Sequence, residues 1–110
     1  MFVATDPAAA CRIGLNLVAA FAADLALPPA RSGVAFGEVL LREGDCFGPV
    51  VNLAARLVEV APPSTLVVSE VVRDALTAVD DLRADAGAVH RLKGFADPLT
   101  AYEVASTRPD

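Results

Sequence analysis

Residues 44–56 read Gly-Asp-Cys-Phe-Gly-Pro-Val-Val-Asn-Leu-Ala-Ala-Arg, and they mark a change from a polar turn to a helix. A proline after a glycine favours the first turn of a helix, so a helix is predicted to open at Pro49. Asn52 and Arg56 are four residues apart and would project from the same side of it. Near a helix N-terminus, an amide and a guanidinium suit a sugar and a phosphate. The open alternative is that Asn52 serves the first helical turn and Arg56 pairs with Glu59 in solvent.

The composition around this stretch predicts one folded domain. The chain has 110 residues, of which 55% are hydrophobic and 21% charged, and this excludes disorder. Fourteen acidic and nine basic side chains give a net charge of -5, opposite to the charge of a nucleic-acid-binding protein. The longest uncharged stretch has eleven residues, against about 20 for a membrane span. We therefore expect a cytoplasmic protein with no nucleic-acid partner and no membrane segment in this chain.

Three helices are predicted from capping residues and apolar spacing. The first begins with Asp6 as its N-cap, and its inward face is expected to carry Ala10, Ile13, Leu17, Phe21 and Leu25 before Pro28 and Pro29 end it. The second is the helix at Pro49, which Pro62 and Pro63 end. The third is capped by Ser69 and closed by Asp80 and Asp81, with Val72, Leu76 and Val79 inward.

Strands are predicted between these helices. Residues 32–41 are apolar on both faces and predict a central strand. The other predicted strands are residues 1–5 (a strand end), 46–47, 65–68, 88–92 and 99–104, with the last two forming a hairpin. The fold class is α+β or α/β with a mainly antiparallel sheet. We expect residues 1–104 to form the domain and residues 105–110 to be a loose tail.

Residues 44–56 resemble the most recognisable segment of the class III nucleotidyl cyclases, in which a Gly-x-x-Val-Asn-x-Ala-x-Arg pattern follows a substrate-reading acid. The flanking motifs agree in order and spacing, namely residues 32–39, 66–69, 92–95 with Pro98, and 102–104. The resemblance covers the chain from Met1 to about Val104. It implies an α+β, ferredoxin-like cyclase fold that is truncated at the N-terminus, without the first strand, the first helices and the metal-binding hairpin.

The resemblance also implies a reaction, in which the 3'-hydroxyl of ATP attacks the α-phosphate to give 3',5'-cyclic AMP and pyrophosphate. Arg56 would stabilise the charge that develops on the phosphoryl oxygens, and Asn52 would orient the ribose. Lys93 would lie near the triphosphate, unless it is only an exposed hairpin charge. Asp45, whose ionised carboxylate only accepts hydrogen bonds, would read the exocyclic amine of adenine, unless it is only a turn acid.

Members of the family hold Mg²⁺ or Mn²⁺ on two aspartates, both of which precede the segment that corresponds to Met1. Asp6 is expected to cap a helix and cannot replace them, so we expect the chain alone to be inactive. Two hypotheses remain. The chain either contributes Asn52 and Arg56 to a site completed by a second cyclase subunit in a dimer, or it is a noncatalytic remnant or regulatory module that pairs with other cyclase subunits.

Overall fold

The computed structural model describes residues 6–24, 26–36, 40–42, 45–47, 49–85, 89–91 and 97–107. Three helices and eight short strands lie within these ranges. In chain order they are α1 (Pro7–Ala23), β1 (Arg31–Val34), β2 (Leu40–Arg42), β3 (Asp45–Phe47), α2 (Pro49–Val60), β4 (Thr65–Val68), α3 (Glu70–Leu76), β5 (Leu82–Asp85), β6 (Val89–His90), β7 (Leu99–Thr100) and β8 (Tyr102–Ser106). The predicted strand end at residues 1–5 lies outside the described residues.

Four strands form the main sheet in the order β1-β4-β8-β5. β1 and β4 are parallel, while β8 is antiparallel to both β4 and β5, so the α+β class with a mainly antiparallel sheet is confirmed. The pairs β2–β3 and β6–β7 form separate antiparallel hairpins. The larger part of the core is the apolar cluster that includes Leu66, Val68, Val72, Leu76 and Val104, with Ala8 and Cys11 of α1.

The start of α1 is as predicted, but its inward face is not. Asp6 caps the helix, since its Oδ1 accepts a hydrogen bond from the Ala8 amide at 3.0 Å. The buried residues are small, namely Ala8, Cys11, Gly14 and Val18, whereas Ile13 and Leu17 are exposed. Small residues bring α1 close to the sheet, and a Cβ on Gly14 would lie 3.1 Å from Leu66 Cδ1. The predicted face at Ile13 and Leu17 was therefore wrong.

The helix predicted at Pro49 is confirmed as α2, which packs on the opposite face of the sheet from α1. Leu57 is its fully buried anchor, in a cluster with Ala61, Val67 and Ala101. Gly33 of β1 allows this contact, because a Cβ there would lie 2.9 Å from both the Ala54 carbonyl oxygen and Leu57 Cβ. This close contact between Gly33 and α2 fixes which side of the helix faces solvent.

The single strand predicted over residues 32–41 is instead two strands. β1 ends at Val34, opposite the last residue of β4, and the Ser69 amide then donates to the Val34 carbonyl at 3.2 Å. The chain leaves the main sheet there, and β2 pairs with β3 in a hairpin. Among the described residues β1 pairs with β4 alone, so the predicted central position is not seen there.

The end of α3 also differs from the prediction. The helix ends at Leu76, whereas Asp80 and Asp81 were predicted to close it. β5 was not predicted, because its sequence Leu-Arg-Ala-Asp has a charged residue at every second position and only Leu82 is buried. The expected strand over residues 99–104 divides into β7 and β8, and β8 continues to Ser106. The first two residues of the predicted tail therefore belong to the sheet.

Candidate functional site

The exposed flank of α2 carries the two polar residues that the sequence singles out. Leu57 points into the core, which leaves Asn52 exposed and Arg56 partly exposed one helical turn apart. Neither side chain is packed in the interior. The structure thus brings the amide and the guanidinium to one accessible side of the helix, within the first two turns after Pro49.

In this structure Arg56 pairs with Glu59. Its Nη1 lies 2.8 Å from Oε1 and 3.0 Å from Oε2 of that carboxylate. The side chains of Arg56 and Glu59 are 32% and 60% exposed, so water competes for both ends of the pair. Exposed pairs at this spacing contribute only about 0–1 kcal/mol. The alternative geometry predicted for Arg56 is therefore present, and it holds the guanidinium weakly enough to be exchanged for an anionic ligand.

The other two predicted site residues are less well placed. Asp45 is the first residue of β3, opposite Arg42 in the hairpin that leads into α2, but its side chain lies outside the described part of the chain. Lys93 lies wholly outside the described residues. The structure brings Asn52 and Arg56 together and leaves the side-chain positions of the other two as predictions.

A second set of polar side chains, on α3 and at its N-cap, includes contacts that were not anticipated from the sequence. Arg73 stacks on the ring of Tyr102, with its guanidinium carbon 4.7 Å from the ring centroid. The Nε of Arg73 lies 2.9 Å from Asp74 Oδ1, which makes an ion pair. The two groups are not aligned for a hydrogen bond, because this buried nitrogen has no hydrogen-bond partner. Ser69 occupies the predicted cap position, yet its buried hydroxyl makes no hydrogen bond. The i,i+4 spacing of Ser69 and Arg73 is the one sequence signal for this cluster.

The ion pair between Arg12 and Asp81 is structural. Arg12 of α1 donates from Nε to Asp81 Oδ2 at 2.7 Å and from Nη2 to Asp81 Oδ1 at 2.9 Å. The two hydrogen bonds that Arg12 donates to this carboxylate raise the pKa of Arg12 above its ordinary value. The pair joins α1 to the segment between α3 and β5, away from Asn52 and Arg56.

A divalent metal does not fit the described acidic residues. They include no group of three or more His, Cys, Asp or Glu side chains that could hold a metal ion. Asp6 accepts from the α1 backbone, and Asp81 binds Arg12. No helix in the described ranges is long and apolar enough to span a bilayer.

Curated relatives match almost the whole chain. The adenylate cyclase of Glutamicibacter nicotianae is 40% identical over 108 residues, which is 98% of this chain and 23% of that protein. The adenylate cyclase of Streptomyces coelicolor is 39% identical over 88 residues, covering 80% of this chain and 23% of the relative. The chain thus spans about a quarter of the length of these relatives. No protein-family model matches it.

Solved structures share the fold. An adenylate/guanylate cyclase/hydrolase from Silicibacter pomeroyi superposes with a TM-score of 0.60 at 25% identity, covering 69% of this chain and 45% of that one. The adenylyl cyclase CyaB from P. aeruginosa gives a TM-score of 0.55 at 22% identity, over 66% of this chain and 38% of its own. The second likeness concerns the fold alone.

Proposed function

The chain belongs to the class III adenylate/guanylate cyclase family and matches part of the length of its members. We therefore propose that it acts in the formation of cyclic AMP from ATP. The observation that supports this most directly is the accessible pair on α2, with Asn52 exposed and Arg56 partly exposed one turn apart in the first half of the helix. We also propose that this reaction takes place in the cytoplasm.

Arg56 is the residue proposed to contact the reacting phosphoryl group. As the ribose 3'-oxygen bonds to the α-phosphorus and pyrophosphate leaves, negative charge accumulates on the phosphoryl oxygens, and a guanidinium can meet it with two parallel donors. The exchange from Glu59 to phosphate costs little, because that surface pair is weak. Glu59 would then hold Arg56 ready on the correct side of α2 when no nucleotide is bound.

Asn52 is proposed to orient the ribose, since an amide can both donate to and accept from sugar hydroxyls. Asp45 is proposed to accept from the exocyclic amine of adenine, which favours ATP over GTP. Lys93 is proposed to contact the triphosphate as a point charge. All three roles follow from the family resemblance and from the chemistry of each side chain.

The described residues include no group that could hold the Mg²⁺ or Mn²⁺ of the family reaction. We propose that the chain by itself forms no cyclic AMP and contributes its residues to a site completed in a dimer with another cyclase subunit. The second candidate function, a noncatalytic or regulatory module that pairs with cyclase subunits, would use the same dimer without Asn52 and Arg56.

Complementation distinguishes these functions. The chain is mixed with the Glutamicibacter nicotianae adenylate cyclase in which the residues aligned with Asn52 and Arg56 are replaced by alanine, and cyclic AMP formation is measured. We expect the chain to restore activity, and its Arg56→Ala variant to restore at least about 100-fold less, because the loss of even one donor to a developing oxyanion costs about that factor. Arg83→Ala, which removes an exposed arginine of β5, is the matched control and should restore activity fully.

Two other results would decide against the proposal. A complex that forms without restoring activity would support the regulatory module. Restoration that Arg56→Ala leaves intact would remove Arg56 from the site.

A further inference from the structure

α2 lies directly against the backbone of β1 at Gly33, with no side chain between them. A Cβ at this position would lie 2.9 Å from the Ala54 carbonyl oxygen, 2.9 Å from Leu57 Cβ and 3.0 Å from the Val58 amide nitrogen. Two of these three atoms belong to the helix backbone, which cannot turn aside as the end of a side chain can. Ordinary contacts of a Cβ begin at 3.4 Å, so a side chain here would move the helix away from β1 by about 0.5 Å.

The C-terminal end of α2 is held beside the start of β1. Ser64, in the loop after the helix, has a φ of 61° in the left-handed region, and its amide donates to the Ala30 carbonyl at 2.8 Å. In the same loop the Thr65 hydroxyl donates to the Pro62 carbonyl at 2.6 Å. A helix that is held at this end and pushed at its middle moves most in its N-terminal half, where Asn52 lies.

Asn52 and Arg56 lie on the side of α2 that faces away from Gly33. At about 100° per residue, each is about 170° around the helix from the middle of the three residues that contact Gly33. A push from β1 therefore carries the amide and the guanidinium outwards by the full shift of the helix. Groups that act on a substrate must be held to within about 0.5 Å. A misplacement of about 1 Å can lower a rate by about 100-fold.

We propose that Gly33 is a positioning residue for the cyclase reaction. Its lack of a side chain fixes the distance between α2 and the sheet, and through that distance it fixes where Asn52 and Arg56 meet a bound nucleotide. Gly33 acts through the helix backbone and not by contact with the substrate. This inference rests on the proposed function, because it concerns the same site, and it extends that site from α2 to the main sheet.

The complementation assay with the alanine-substituted Glutamicibacter nicotianae cyclase tests this role. With the chain at saturating concentration, kcat and KM for ATP are measured, and each kcat is corrected for the folded fraction found by urea denaturation. We expect Gly33→Ala to lower kcat about tenfold and to change KM less than about threefold, because the shift weakens contacts that form in the transition state.

Val72→Ala is the matched control for lost stability. Val72 is fully buried in the apolar cluster on the α1 side of the sheet, and its truncation removes two core methyl groups. Its corrected kcat should equal that of the wild type. If Gly33→Ala does not fold, Leu57→Phe replaces it, because a larger side chain at the buried anchor also moves α2 away from the sheet.

A double-mutant cycle separates positioning from a general loss of activity. In a chain that already carries Asn52→Ala or Arg56→Ala, the further cost of Gly33→Ala should fall to about threefold or less for at least one of the two, because the group that it positions is gone. Independent effects would multiply, and Gly33→Ala would cost the same tenfold in both chains.

The outcomes distinguish this inference from the proposed function. A wild-type chain that restores no activity would overturn the proposed function and this inference with it. If the wild type restores activity, three results would each overturn the inference alone: an unchanged kcat in Gly33→Ala, an equal loss of corrected kcat in Val72→Ala, or the full tenfold cost of Gly33→Ala in both alanine backgrounds.

Discussion

The thiol of Cys11 has a pKa well above its ordinary value. It is fully buried in the cluster between α1 and the sheet, and burial raises its pKa from 9.0 to about 11. The positive charge of Arg12 opposes this rise, and the carboxylate of Asp6 adds to it. A buried thiol that stays protonated is a poor nucleophile, so Cys11 contributes packing rather than chemistry.

This perturbation predicts a specific loss of stability in alkali. Well below pH 9 the thiol is protonated in both states and its contribution is complete, but as the pH rises through 9 towards 11 it ionises first in the unfolded chain. The free energy of unfolding should fall across that window by up to ~3 kcal/mol from this group. Urea unfolding of the wild type and of Cys11→Ala measures it, because other titrating groups are common to both. A difference in stability between the two proteins that stays constant from pH 8 to 11 would contradict the prediction.

Single residues of the candidate site were predictable where local geometry fixes them. The spacing of Asn52 and Arg56 is a property of one helix, and both residues lie on its accessible side. The pairing of Arg56 with Glu59, which the sequence offered as the alternative, is present in the structure. The relation of Asp45 and Lys93 to that helix depends on connections between elements. No short-range pattern fixes such distances, so their roles stay predictions.

At the scale of elements, the packing of β1 on α2 depends on Gly33. Gly33→Ala would place a Cβ 2.9 Å from the Ala54 carbonyl oxygen, and a helix backbone cannot move aside as a side-chain end can. We expect a loss of about 1–3 kcal/mol in the free energy of unfolding, measured by urea denaturation.

Gly14→Ala is the control, since the added Cβ meets the end of the Leu66 side chain at 3.1 Å and alanine favours the helix by about 1 kcal/mol. It should cost clearly less than Gly33→Ala. Equal losses would show that backbone contact is not what makes Gly33 necessary.

The elements that sequence predicted well are those with strong local signals. The Asp6 cap, the start of α2 at Pro49 and the β-branched run of β4 were all correct. The inward face of α1 was wrong because its large apolar residues follow a helical period too, and contact with the sheet selects the small ones instead. β5 was missed because a polar edge strand is identified by its partner, β8, rather than by its own residues.

At the scale of the whole molecule, the turn before β5 joins three distant parts of the chain. Asp81 binds Arg12 of α1 through its side chain and accepts from the Thr107 amide, at 3.0 Å, through its carbonyl. The Thr107 hydroxyl donates to the carbonyl of Asp80. The residues just after the predicted domain boundary at Val104 therefore help to hold the β5 edge and α1 in place.

Two truncations test this boundary. A chain that ends at Val104 loses the pairing of Arg83 with Ala105 and of Leu82 with Ser106, whereas a chain that ends at Thr107 keeps every described contact. At about 1 kcal/mol for each hydrogen bond lost, the shorter chain should be less stable by about 2–4 kcal/mol. That is a large part of the 5–15 kcal/mol typical of small domains, so its urea midpoint should fall sharply while the longer chain unfolds like the wild type. If both truncated chains unfold like the wild type, residues 105–107 add nothing to the fold and the boundary belongs at Val104.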